Sequence, residues 1–349
     1  MRGCAMSAKD LWLRETRTLQ DALQPQPPTV YVVDGLFSLP SLDIVYGAPG
    51  TMKSLLLADL AVCVAAGREW LPPLPHDKSG AIQPIKTTPY PVLWLDFDNG
   101  ARRTGNRLAA FARAYHAENA RLYYLAMPSA PFNATMASAT VEMIDYINAI
   151  GAKIIVIDNL LTVSGGKDEN APEIASAMLN LRLISERTGA AVIVVHHSRK
   201  QNGIRGGLGD DLRGHSSIRG AIDLALLVER EEGADSVTVK STKTRDVDVE
   251  PFGALFTYTH QPGTFDLETA AFFGQKVMGI ETMKDIQQAI ITALTRAGKP
   301  LNQGELVKAV QSDGIKAGRD RIRAIADKMA NNLTIKATTG ARGAVLYGI

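Results

Sequence analysis

Between residues 30 and 200, short unbroken apolar runs alternate with longer stretches of helical period. Asp43-Ile44-Val45-Tyr46, Pro91 to Asp96, Arg121 to Leu125, Ala152 to Asp158 and Ala190 to Val195 read as strands. Ser54 to Ala66, Arg102 to Ala120, Val141 to Ile150 and Pro172 to Thr188 read as helices. A strand that is apolar at every position is covered on both faces, and strand–helix alternation feeds a parallel sheet. The pattern therefore predicts an α/β fold with a mainly parallel central sheet. Leu224 to Val228 and Ser236 to Lys240 follow each other with no helix between them. With Leu255 to Thr259 they predict an antiparallel extension of edge strands. Residues 261–280 carry Pro and Gly and are expected to close the core.

Both ends have a different texture. Met1 to Asp21 mixes charges with Leu and Trp, which suits either an amphipathic arm or a poorly ordered tail. The Pro-rich stretch 22–29 reads as a linker. Near the other end, Met283 to Ala297, Asn302 to Val310 and Asp320 to Asn331 read as helices, the second opened by an Asn302/Glu305 capping box. Leu333 to Lys336 and Ala344 to Tyr347 are expected to pair across a Gly-rich turn. Three helices and a hairpin make a small winged-helix pattern. The expected division is an arm and linker at 1–29, a nucleotide-binding core at 30–275 and a winged-helix-like domain at 280–349.

Composition narrows the picture only slightly. At 46% hydrophobic and 21% charged residues, the chain has the balance of a globular protein. No apolar run is long enough for a membrane span, and the N-terminus lacks a signal peptide's apolar stretch. Cys4 and Cys63 lie in no metal-ligand spacing, so neither a disulfide nor a zinc site is expected, in keeping with a cytoplasmic setting. The net charge of +2 is unevenly spread: the last 70 residues carry +5 and the rest −3.

The chemistry centres on Gly47-Ala48-Pro49-Gly50-Thr51-Met52-Lys53-Ser54, which follows a strand and opens a helix. In that context the loop's N–H groups and the helix N-terminus face a phosphate. Lys53 is placed for the β- and γ-phosphates and Ser54 for Mg²⁺, so ATP and Mg²⁺ are the expected ligands. Met52 stands where such loops usually have Gly, and ordinary helix-entry angles are expected there. Asp158 ends a central strand and can hold a Mg²⁺-bound water near Ser54. Asp98, just past the strand 92–96, is the candidate to polarise the attacking water, with Asp96 as its competitor. His197, at a strand tip beside His196, can sense the γ-phosphate.

Basic residues surround this set. The segment 198–214 holds Arg199, Lys200, Arg205 and Arg213 among five glycines, a loop suited to the backbone of single-stranded DNA. Lys243 and Arg245, two apart on an extended segment, point the same way and can address one phosphate. Arg319, Arg321 and Arg323 gather at the third helix of the last module, where a winged helix meets either DNA or a protein partner.

This set resembles the RecA-like AAA_25 family, which includes plasmid RepA-type replicative helicases and is more distantly similar to DnaB-type helicases. The resemblance spans residues 30–260. It rests on the loop, on Val92-Leu93-Trp94-Leu95-Asp96-Phe97-Asp98, on Ile154 to Asp158, on Val195-His196-His197-Ser198-Arg199-Lys200 and on Arg213 to Asp223. It implies a catalytic carboxylate at Asp98, where the family typically has Glu, and a γ-phosphate sensor at His197. It further implies an arginine finger at Arg213 or Arg219, a Lys-x-Arg trans pair at Lys243 and Arg245, and hexameric rings with ATP between subunits and DNA in the channel. The expected function is a ring-forming DNA helicase. Two other readings stand beside it: a RecA/RadA-like filament-forming ATPase, and an ATP-switched DNA-binding regulator.

Overall fold

The computed structural model describes residues 7–166, 172–197, 216–245, 249–277, 283–340 and 344–349. The chain divides into two compact units, Met1–Val30 and Tyr31–Ile349. The first holds α1 (Ala8–Glu15) and α2 (Leu19–Leu23), each opened by a capping box, Ser7 with Asp10 and Thr18 with Asp21. Neither helix has a buried residue.

A two-stranded sheet of β1 (Val30–Val33) and β2 (Phe37–Leu39) comes next in the chain. Strands and helices then alternate: β3 (Ser41–Gly47), α3 (Lys53–Ala66), β4 (Val92–Asp96), α4 (Ala101–Tyr115) and β5 (Leu122–Ala126). Next come α5 (Ala137–Ile150), β6 (Ile154–Asp158), α6 (Leu160–Val163), α7 (Pro172–Thr188), β7 (Ala191–His197) and α8 (Ser216–Ala221). β8 (Leu224–Glu229), β9 (Ser236–Lys243), β10 (Phe252–His260) and β11 (Leu267–Gln275) complete the core. One nine-stranded sheet results, in the order β11-β10-β9-β8-β3-β7-β6-β4-β5. The six strands from β8 to β5 run parallel, and β9, β10 and β11 are antiparallel.

Every residue of β3, β4 and β6 is buried. Alternate side chains go to opposite faces of the sheet. Val45, Trp94, Val156 and Ile193 join α3 and α4 through Leu57 and Phe111, while Ile44, Leu93, Ile155 and Val194 join α5 and α7 through Ile147 and Leu181. Both faces are covered, which is the condition that unbroken apolar strands require.

Several elements depart from the sequence expectation. α4 ends at Tyr115 rather than continuing to 120, because His116 turns left-handed (φ 51°, ψ 46°) and folds its N–H back to Ala112 and Arg113. β8 and β9 are not edge strands: β8 lies between β3 and β9, parallel to β3, and β9 lies between β8 and β10. The Pro/Gly-bearing stretch after 260 contains β11, held by long-range contacts. The Phe272 N–H donates to buried Asp59 of α3 (3.1 Å), and its ring packs against Phe111 and Phe256.

The last stretch holds α9 (Met283–Ala297), β12 (Leu301–Asn302), α10 (Gln303–Ser312), α11 (Arg319–Asn331), β13 (Lys336–Thr339) and β14 (Val345–Gly348). Its strands form a separate sheet, β12-β14-β13, and its helices bury a separate apolar cluster around Ile290, Val310, Ile322 and Tyr347. The Asn302/Glu305 capping box forms as the spacing requires. Among the described residues, no helix is long and apolar enough to cross a membrane. Cys63 is a buried free thiol, and Cys4 lies outside the described residues.

Candidate nucleotide site

Four neighbouring parallel strands end together. Gly47 of β3 is level with His197 of β7, Asp158 of β6 with Val195, and Asp96 of β4 with Asp158. The carboxyl edge of a parallel sheet is where α/β folds bind ligands, and here it carries the loop and all three central polar side chains.

Two glycines set the loop's course. Gly47 has φ 152°, and a Cβ there would lie 2.3 Å from the Val228 carbonyl oxygen, so β8 leaves room for glycine only. Gly50 has φ 82°. Met52 does not hold helix-entry angles: it is left-handed, at φ 62°, ψ 19°. The backbone takes a left-handed step just before Lys53 to enter α3. Glycine would take that step freely, whereas a side chain there costs roughly 1–2 kcal/mol. Packing of the half-buried Met52 side chain against the core offsets part of this cost.

Lys53 is buried, and its Nζ donates to the Gly47 and Ala48 carbonyls (2.9 and 2.8 Å) and to Thr51 Oγ1 (3.3 Å). Burial lowers its pKa to about 8, against the opposing pull of Asp158. Asp158 is buried and raised to about 6 by desolvation, while a hydrogen bond from Ser54 works the other way. Its Oδ1 has no partner among the described residues. A buried carboxylate oxygen without a donor, beside a serine hydroxyl at a phosphate loop, fits a Mg²⁺ site held by Ser54 and Asp158.

Asp96 and Asp98 have different surroundings. Asp96 is buried and accepts from the Asp98 and Asn99 N–H groups and the Thr104 hydroxyl (3.0, 2.7 and 2.7 Å). It shapes the turn into α4. Asp98 is exposed at the tip of that turn. Half-buried His197 is held below the usual imidazole range by burial and by Lys53, with Asp98 opposing. Lys53 and Asp98 both act on His197, which places the three around one site.

Other candidates lie elsewhere. Lys243 pairs in register with Ala225, near the amino end of β8 and away from the loop. Its Nζ donates to the Arg219 and Ile222 carbonyls, and Arg245 donates to the Gly220 carbonyl (2.9 Å) and pairs with Asp223 (3.3 Å). Both cations therefore cap the carbonyl end of α8, where the helix dipole favours them. Arg219 is exposed. On α11, Arg319 is exposed, Arg321 pairs with Glu250 of the core (3.1 Å), and Arg323 lies 3.8 Å from Asp320. Arg199, Lys200, Arg205 and Arg213 lie outside the described residues.

Three features of the site lie outside the sequence motifs. Arg107 of α4 is partly buried and faces Asp96, Asp158 and Asp98 electrostatically; its only sequence signal is a one-turn spacing from Arg103. Arg230, just past β8, donates to the Gly50 carbonyl (3.0 Å). A cleft of about 840 Å³ opens beside the loop between Leu55, the start of α4 and the β10–β11 hairpin, which contributes Phe256, Tyr258, His260 and Phe265. No local pattern announces a cleft whose walls are 150 residues apart.

The family model AAA_25, described as an AAA domain, matches residues 10–203. No curated protein matches the chain. Among solved structures, the chain is similar to a KaiC-like protein from the hyperthermophilic archaeon Pyrococcus horikoshii OT3, with 15% identity and a TM-score of 0.45 over 72% of this chain and 100% of that one. The family match covers more than half of the chain and includes the loop, Asp98, Asp158 and His197. The chain therefore belongs to the AAA_25 family of AAA domains, RecA-like P-loop ATPases.

Proposed function

We propose that the protein is a ring-forming, DNA-stimulated ATPase that works as a replicative DNA helicase of a mobile element. Lys53 neutralises the β- and γ-phosphates. Ser54 and Asp158 hold Mg²⁺, which when bound shields phosphate charge. Asp98 orients and polarises the attacking water. His197, whose pKa burial and Lys53 hold below the usual imidazole range, donates a ring N–H to a γ-phosphate oxygen and passes its presence to the segment that follows. The nucleoside rests in the cleft between Arg103 and the hairpin aromatics.

The observation that carries the ring is the position of Lys243 and Arg245. They lie together at the end of β9 away from their own loop, and to complete a neighbour's site they would exchange the carbonyls of α8 for a phosphate. Arg213 or Arg219 is the finger in this reading, and Arg199, Lys200 and Arg205 grip single-stranded DNA in the channel. The last module is read as a winged helix whose Arg319 faces a DNA or protein partner.

Fork unwinding by wild type, absent in Lys53→Ala, is the expected result. Light scattering that finds only monomer with ATP, Mg²⁺ and single-stranded DNA would remove the ring. Electron microscopy of the DNA complex separates ring from filament. A left-handed Met52 and an aspartate at position 98 favour slow hydrolysis and so give weight to a second reading, an ATP-switched regulator. A footprint at one defined duplex sequence, without single-strand stimulation, supports that reading instead.

A further inference from the structure

The phosphate-binding loop holds three residues with positive φ, Gly47, Gly50 and Met52, and only the last carries a side chain. A loop in such a conformation persists only when its surroundings over-determine it. β8 and the turn after it supply that constraint at two points. The Val228 carbonyl packs against Gly47, closely enough to exclude a Cβ, and Arg230 donates from Nη1 to the Gly50 carbonyl at 3.0 Å.

Arg230 is itself fixed. Its Nε donates to the Ala234 carbonyl at 2.6 Å across the β8–β9 turn, and a Glu229–Lys240 ion pair at 2.5 Å ties the two strands beside it. The guanidinium is thus a rigid fork with one tine in its own turn and the other on the loop apex. A planar group with several donors can do this, whereas an ammonium on a flexible stem cannot hold both ends.

We propose that Arg230 is a positioning residue for nucleotide binding: it brackets the loop apex and holds the left-handed Gly50–Met52 backbone open for the phosphates. The proposal rests on the loop's being the nucleotide site and adds a residue outside the motif. It also couples the β8–β9 turn to that site, so movement of the turn changes nucleotide affinity.

The test is a double-mutant cycle read by calorimetric titration with Mg²⁺-ATP, with thermal unfolding of each variant as a fold control. Arg230→Ala is expected to weaken binding about three- to tenfold, the worth of one hydrogen bond, with kcat nearly unchanged. Arg230→Lys recovers only part of that loss. In a Met52→Gly background the Arg230→Ala loss shrinks to less than about twofold, because glycine takes the left-handed angle without external help. Wild-type affinity in Arg230→Ala overturns the proposal. So does full rescue by Lys, or an equal loss in both backgrounds, since either assigns Arg230 a charge role instead. Failure of wild type itself to bind nucleotide removes the underlying reading and is a distinct result.

Discussion

The carboxylate of Asp96 accepts the backbone N–H of Asp98 at 3.0 Å, so one acid builds the turn that presents the other. The two positions therefore fail differently. Asp98→Asn is expected to lower kcat for ATP hydrolysis by about 10²-fold or more with KM little changed, the effect of losing a group that acts on the reacting water. Asp96→Ala leaves Thr104 and two N–H groups without their acceptor and costs about 1–3 kcal/mol of stability. Steady-state kinetics and urea denaturation of both variants separate the roles. Asp98→Glu, with its longer reach, is expected to raise kcat.

If Asp158 holds Mg²⁺ as proposed, nucleotide binding is expected to depend on pH. Burial lifts its pKa to about 6, and a protonated carboxyl is not a metal ligand. Affinity is expected to be flat above pH 7 and to fall below pH 6 by about tenfold per unit. Titration calorimetry across pH 5 to 8 checks this, and Asp158→Asn is expected to bind weakly with no such dependence.

Asp59 is buried in α3 and accepts from Trp70 Nε1, the Tyr115 hydroxyl and the Phe272 N–H (2.9, 2.6 and 3.1 Å). Burial lifts its pKa to about 7 despite those bonds, against 3.8 for the free side chain. Between these values the folded chain keeps a proton that the unfolded chain releases. Its contribution to stability therefore falls as pH rises from about 4 to 7, by on the order of 1 kcal/mol per unit, and is level above. Denaturation midpoints over that range, wild type against Asp59→Asn, are expected to lose this slope in the variant.

Gly47 and Gly100 form a matched pair of controls. A Cβ at Gly47 meets the Val228 backbone at 2.3 Å, whereas at Gly100 it meets nothing within 4 Å. Gly47→Ala is expected to cost at least about 1–3 kcal/mol through overpacking and to abolish nucleotide binding. Gly100→Ala, which loses only an N-cap preference, is expected to cost less than about 1 kcal/mol and to retain nucleotide binding. Thermal unfolding with and without Mg²⁺-ATP reads both.

The loop, the strand-ending Asp158 and the parallel sheet were all legible from local signals. The loop is contiguous, and the strand of Asp158 is apolar at every position because both its faces are covered. The role of β8 was not legible. Its short apolar run suits an edge or an interior strand equally, and only its pairing with β3 decides between them. β11 was missed for a related reason: a buried carboxylate and two rings, all distant in sequence, hold it in place. At Met52 the residue type alone suggests ordinary helix entry. The path from β3 into α3 imposes the left-handed step instead.

By itself, then, the sequence determined the pieces whose parts are neighbours in the chain: the phosphate loop, the alternation that makes a parallel sheet, the helix caps and the carboxylates at the ends of β4 and β6. Tertiary structure alone decided the rest. It brought Arg107 toward the acids, seated Arg230 on Gly50, turned Lys243 and Arg245 onto α8 and joined α4 to the β10–β11 hairpin around a cleft. A local motif is written by backbone geometry over a few residues. A contact across 180 positions, such as Arg230 with Gly50, depends on how the whole sheet is ordered, and neither residue's own neighbourhood records it.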